Sequence, residues 1–255
     1  MKKKYLNFLL IAILILLGLF GERQNSRSDV ISKASEEYLS KVDGTKPGEL
    51  DSLLISGIAS YGDGNKTLAI RYFEKAYELG DVRGAVKLYE LYNSEKDEEK
   101  IKEWEIKAAD MGEAGAQHNL ARRLEKEGNE KKSEEWYLKA AEQGFNPSQH
   151  NLARRLEKRE EIEEAKKWYL KAAEQGFKSS QNNLGILYER DGDYKEAEKW
   201  YLKAAEQGAT EAQYNLGGLY EEKLNNPKRA IYWYEKSAKS GDKDSKEKLK
   251  ELKEK

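Results

Sequence analysis

WYLKAAEQG is spelled out three times, at Trp136–Gly144, Trp168–Gly176 and Trp200–Gly208, and the reading of that stretch decides the fold. Degenerate copies flank it: YFEKAYELG at Tyr72–Gly80, WEIKAADMG at Trp104–Gly112 and WYEKSAKSG at Trp233–Gly241. The leading aromatics Tyr72, Trp104, Trp136, Trp168, Trp200 and Trp233 are spaced by 32 four times and then by 33. A near-fixed period of that size marks a stacked array, in which no unit closes its own core and the neighbours complete it.

Within one period the apolar residues form two stripes at helical spacing. Ser133, Tyr137, Ala140 and Gly144, flanked by Trp136 and Ala141, define a second helix, helix B. Ala116, Leu120, Ala121 and Leu124 define a first helix, helix A, in QHNLARRLEK, a string repeated unchanged at Gln149–Lys158. Large residues alternate with alanines, so the bulk of one helix can rest on the short side chains of the next. Gly80, Gly112, Gly144, Gly176, Gly208 and Gly241 fall just past helix B, where a left-handed residue ends a helix. Asn146-Pro147 and Asn226-Pro227 suit helix starts. The expected fold is all-α, a right-handed α/α superhelix of two-helix repeats of about 32 residues.

Charge fits an elongated, surface-rich array: 36% of the 255 residues are charged, yet 46 basic side chains balance 47 acidic ones for a net charge of -1. No whole-molecule field draws such a chain to nucleic acid. The absence of cysteine excludes disulfides, thiolate nucleophiles, zinc-knuckle spacing and thioether lipid anchors.

Residues 1–21 stand apart from the repeats. Lys2, Lys3 and Lys4 precede an apolar run from Leu6 to Phe20 broken by Asn7, the layout of a secretory signal or a short membrane anchor. Roughly 15 helical residues reach about 22 Å, short of a hydrocarbon layer of about 30 Å, which favours a cleaved signal. Either reading predicts an exported chain with its repeats periplasmic or otherwise outside the cytoplasm, and membrane contact only through residues 1–21 if they are retained. Residues 22–50 read as a linker in which Val30 to Ser40 can form a short helix. Residues 51–241 hold six repeats, the first with a divergent helix A over Leu50 to Tyr61. Residues 242–255 read as a charged capping helix that keeps Leu249 and Leu252 at the positions of Leu216 and Leu219.

The helix A pattern Ala-Gln-x-Asn-Leu-Gly-x-Leu-Tyr at Ala212–Tyr220 has close copies at Ser180–Tyr188 and Ser148–Leu156. Followed by Ala-x-x-Trp-Tyr-x-Lys-Ala-Ala-x-x-Gly, it resembles the Sel-one-like repeat family, a branch of the tetratricopeptide-like helical solenoids. The usual Gly-rich insertion between helices A and B is replaced by short turns such as Asp191-Gly192-Asp193. The resemblance implies a scaffold or adaptor holding a protein or peptide partner, often at the bacterial cell envelope.

With Leu120 set to zero at about 100° per residue, His118, Arg122 and Asn119 fall near ~160°, ~200° and ~260°, which points this trio away from the core. Later units repeat it as His150, Asn151 and Arg154, then Asn182 and Asn183, then Tyr214 and Asn215. Asn119, Asn151, Asn183 and Asn215 make a ladder of one per repeat that could bond an extended peptide at intervals. Related solenoids that clamp a peptide carboxylate use an Asn followed three residues later by a basic residue, which Asn119 with Arg122 and Asn151 with Arg154 match; Ile186 and Gly218 break the pattern. These ten residues are the candidate partner site. For any single one the plainer alternative carries more weight: an Asn bonding a neighbouring helix, or Arg122 and Arg123 pairing with nearby Glu.

Nothing signals catalysis, a metal or a cofactor. His118 and His150 have no third ligand nearby, the tryptophans read as core, and there is neither a phosphate loop nor a nucleophile elbow. Exported relatives linked to binding or hydrolysing penicillin-like rings are cysteine-rich, which this chain is not. That enzyme class and a purely structural spacer stand as the alternatives to a binding scaffold.

Overall fold

The computed structural model describes residues 24–254, with side chains from Lys33 onward except at position 253. The expected signal segment therefore lies outside the described residues. Among those residues every regular element is helical, and they divide into two compact units, one ending at Gly84 and the other beginning at Ala85.

The first unit contains α1 (Gln24–Lys41), α2 (Glu49–Gly62) and α3 (Lys66–Glu78). Asn65 caps α3 by accepting from the Leu68 N–H at 3.1 Å. α2 and α3 form a hairpin that buries Leu53, Leu54, Leu68, Ala69, Tyr72, Phe73 and Ala76. Gly57 is what lets them close: a Cβ there would lie 2.4 Å from the Phe73 ring. α1 leans on α3 through the Tyr38 and Tyr72 rings, 6.3 Å apart, and the Glu36–Arg71 ion pair.

The second unit begins within α4 (Val82–Glu95). It continues through α5 (Glu98–Asp110), α6 (Ala114–Lys126), α7 (Glu130–Glu142), α8 (Asn146–Lys158), α9 (Ile162–Glu174), α10 (Lys178–Arg190), α11 (Tyr194–Glu206), α12 (Thr210–Gly218), α13 (Pro227–Lys239) and α14 (Lys243–Glu254). From α5 to α14 each helix packs on the next, so α6–α7, α8–α9, α10–α11 and α12–α13 are stacked A–B hairpins.

Turn chemistry follows from the repeat. After α7, Gly144 at φ 87° lets Phe145 N–H reach back to the Ala140 carbonyl at 3.1 Å, the bond that closes a Schellman turn. At the A-to-B turn the left-handed position is Gly64, Gly128 and Gly192 in alternate repeats, but Lys96, Glu160 and Asn225 in the others. The longer final period is taken up inside its helix A: Leu219–Lys223 winds as a π-turn, with Leu224 N–H on the Leu219 carbonyl at 3.0 Å. The thirty-third residue is thus absorbed before α13 resumes the register.

Tyr137, Tyr169, Tyr201 and Tyr234 are fully buried, each amid alanines of helix B. Gly185 and Gly217 admit the last two, since a Cβ at either would fall 2.6–2.7 Å from the ring. Trp104, Trp200 and Trp233 are buried, whereas Trp136 and Trp168 are half-buried beneath Lys139 and Lys171, whose ammonium groups lie 3.7 and 3.8 Å from the ring centroids. Leu249 and Leu252 of α14 pack against the last hairpin's core, leaving a charged outer face.

Candidate functional site

The helix A wall of the second unit is formed by α6, α8, α10 and α12, and the structure divides the predicted trio between interior and surface. His118 does not point away from the core, as its angle on the helix predicts. It is buried, its ring 5.5 Å from Tyr137 and 5.3 Å from Phe145, with Nδ1 2.8 Å from Ser148 Oγ on the next helix A. His150 repeats this half-buried arrangement with Tyr169, Phe177 and Ser180, and Tyr214 meets Tyr234 at 5.7 Å. The physical reason is that helix A has neighbours on three sides, so its buried arc is wider than its apolar stripe. Burial, reinforced by Arg122 and Arg154 respectively, pulls both histidines down to pKa values of about 4, so each is neutral at neutral pH.

The Asn ladder is half committed to the fold. Asn183 Nδ2 donates to the Tyr169 hydroxyl at 3.0 Å, Asn151 stands by Tyr137 in the same way, and Asn215 Nδ2 donates to Asn182 Oδ1 at 3.0 Å across the repeat boundary. All of these asparagines, with Asn119, are partly exposed.

Beneath them runs a set of pairs that helix-by-helix reading misses. The hydroxyls of Tyr137, Tyr169, Tyr201 and Tyr234 donate to Glu125, Glu157, Glu189 and Glu221 at 3.0, 2.9, 2.8 and 2.9 Å. Burial first, then the adjacent carboxylate, pushes the Tyr137 phenol up to about 12, and the other three rise for chiefly the same reason of burial. A constant Glu-to-Tyr separation of 12, then 13, was the available signal. A second set links Gln117, Gln149, Gln181 and Gln213, whose amides donate to the carbonyls of Ala109, Ala141, Ala173 and Ala205 at 3.0–3.2 Å. In the 81–112 repeat Glu105 stands where later repeats carry tyrosine, and this buried carboxylate pairs with Arg123.

Arg122 and Arg154 behave differently from their neighbours Arg123 and Arg155. The second of each doublet is drawn into the fold, Arg155 reaching Glu125 at 2.7 Å, while Arg122 and Arg154 are exposed and have no ion-pair partner among the described residues. Beside Arg154 opens a groove of about 750 Å³ between successive helices A, lined by Glu157, Lys158, Glu160, Ile162, Asn183 and Arg190. The groove thus brings Arg154 together with Asn183 of the following repeat and sets Ile162 as an apolar patch among charged rims.

These stacked hairpins with a polar helix A wall define a tetratricopeptide-like helical repeat protein. More narrowly, its repeats are similar to the Sel1 repeat, whose model matches residues 57–81, 114–145, 147–177 and 210–242, and a tetratricopeptide repeat model matches 179–206. The unmatched stretch after position 81 contains the repeat in which Glu105 replaces tyrosine.

Among solved structures, a protective antigen present in uropathogenic Escherichia coli, displaying an SLR fold, is 29% identical with a TM-score of 0.66, covering 86% of this chain and 51% of its own. This chain therefore spans about half the length of that antigen. A Sel1 repeat protein from Oxalobacter formigenes is 28% identical at TM-score 0.61, covering 74% and 86%. The pilF protein of Pseudomonas aeruginosa, 17% identical at TM-score 0.56 over 79% and 97%, shares the fold. Comparison with curated protein sequences gave no match. Repeats of this class generally mediate protein–protein interaction and are typically non-catalytic.

Proposed function

We propose that this chain is an exported, non-enzymatic scaffold that holds a peptide or protein partner on the helix A wall of its second unit, outside the cytoplasm. The observation that carries this reading is the open groove beside Arg154 and Asn183. It joins exposed charged side chains, an amide and an apolar patch at Ile162, the mixture that fixes an extended chain by polar contacts while giving a side chain somewhere to bury. A photoreactive amino acid placed at Lys158, on the groove, is expected to crosslink a discrete partner in the protein's own cells. The same group at Leu138, exposed on helix B, is expected to give none. Equal yields from both positions would rule out the helix A wall. A protease added to intact cells or spheroplasts tests the location, because degradation of the repeats only after lysis would place them inside the cytoplasm.

A further inference from the structure

The first repeat presents an apolar face where later ones are polar. Ile55, Ile58 and Tyr61 of α2 are 66, 53 and 44% exposed and follow one another at helical spacing along one side. Gly57 sits against Phe73 as Gly185 and Gly217 sit against Tyr201 and Tyr234, which fixes the correspondence between repeats. Asn119, Asn151, Asn183 and Asn215 then stand where α2 has Ile55, and Glu125, Glu157, Glu189 and Glu221 where it has Tyr61.

That side of a helix A looks back toward whatever precedes it in the stack. Asn215 Nδ2 donates to Asn182 of the preceding helix A, and Asn183 Nδ2 to Tyr169 of the preceding repeat, both at 3.0 Å. Beside this position Leu187 and Leu219 are 1% and 0% exposed, whereas their counterpart Ala59 is exposed. In the first unit α1 fills the helix B place of a preceding repeat. Glu36, Tyr38 and, past its end, Gly44 come beside Arg71, Tyr72 and Leu79, so α1 runs parallel to α3 and antiparallel to α2. Among the described residues no helix A stands before α2.

We propose that, while the chain carries residues 1–21, its apolar run Leu6–Phe20 takes that place, as helix A of a leading half-repeat whose helix B is α1. The run and α2 hold 15 and 14 residues, about 22 and 21 Å as helices. Gly21, Glu22 and Arg23 separate the run from α1, and the A-to-B turns at 63–65, 127–129 and 191–193 are likewise three residues long. A run returning antiparallel to α1 is parallel to α2, which carries Lys2, Lys3 and Lys4 toward Glu49 and Asp51 in the acidic first turn of α2. The three exposed side chains offer far less than the roughly 800 Å² that each partner of a stable dimer buries. A tethered segment needs less, because the linker has already removed most of the cost of association. The inference is independent of the helix A wall of the second unit.

The absence of cysteine makes the test direct. The full chain is made by cell-free synthesis, which keeps residues 1–21. It carries Ile55→Cys and a second cysteine placed in turn at Leu10, Ile11, Ala12 and Ile13, so that every side of a helix is sampled. Under mild oxidation at least one of the four pairs is expected to close an intramolecular disulfide about tenfold or more faster than the same cysteine paired with Tyr232→Cys, an exposed position on α13. Ile58→Asp, at another exposed position of α2, is expected to slow that pair to the control rate with far-ultraviolet circular dichroism unchanged. Three results would overturn the proposal. A disulfide-linked dimer of the Ile55→Cys single variant would give the face to a second copy. Protection of that thiol from a soluble maleimide only after phosphatidylglycerol vesicles are added would give it to a bilayer. Four pairs that oxidise no faster than their controls would leave the run undocked.

Discussion

Ser240→Gln should stabilise the last repeat, and the glutamine ladder shows why. In three successive repeats the helix B glutamine donates to the buried helix A glutamine before it: Gln143 to Gln117 at 2.8 Å, Gln175 to Gln149 at 2.8 Å and Gln207 to Gln181 at 2.7 Å. Gln213 keeps the inner half of this motif, donating to the Ala205 carbonyl at 3.0 Å. Its outer donor is missing, because Ser240 occupies the position of Gln207 in the WYEKSAKSG copy. Gln213 is only 5% exposed, and its Oε1 is left without a hydrogen-bond partner. A buried acceptor in that condition costs about 1–3 kcal/mol, and a new amide–carbonyl bond returns about 1 kcal/mol net. Ordering the longer side chain offsets part of this, leaving an expected gain of about 1 kcal/mol, or about 2–4 °C in melting temperature for a chain of this size. Urea unfolding, together with hydrogen exchange in α12 and α13, measures it. The double-mutant cycle with Gln213→Leu isolates the bond: Ser240→Gln should lose its benefit in that background. An equal gain with and without Gln213 would show that the effect is mere helix propensity and refute the reasoning.

Three further outcomes are expected. Gly84→Ala should destabilise the first unit by about 2–3 kcal/mol, because a Cβ there would lie 2.5 Å from the Phe73 carbonyl oxygen and 2.6 Å from the Tyr77 nitrogen, backbone atoms that cannot rotate aside; exchange protection in α3 reports it. Glu160→Gly should be neutral to stabilising by up to about 1 kcal/mol in a urea midpoint, because Glu160 is held at φ 65° where the neighbouring repeats carry glycine. Acidification should weaken the second unit before its carboxylates titrate. With His118 and His150 near 4 in the folded chain against 6.5 unfolded, the unfolded state binds more protons between those limits, so stability is full above about pH 6.5 and falls toward pH 4. A His118→Gln, His150→Gln variant should show a flatter stability profile across that window.

The candidate site was legible in part, and the pattern of success follows from geometry. The exposure of Arg122 and Arg154 could be read from their angle on helix A, because they lie opposite the Leu120 stripe and no neighbour covers them. His118 sits at nearly the same angle and is buried, because the next helix A brings Ser148 and the following loop brings Phe145 against it. A helical wheel knows one helix's apolar face but not how many neighbours surround it. The asparagines divide similarly: recurrence marks them as equivalent, yet whether the amide faces a partner or a tyrosine hydroxyl depends on contacts about 14 or 33 residues away.

By itself the sequence determined the two-helix period, the glycine stops, the cap at Asn226 and the apolar–alanine seam, because each is a local consequence of backbone conformation or helical spacing. Only the tertiary structure decided which member of each arginine doublet remains free, which glutamates are already taken, and how a thirty-third residue is wound into the final repeat as a π-turn. Those outcomes turn on competition among side chains from three or more helices for the same few oxygens, and the winner is set by distances that exist only once the repeats are stacked.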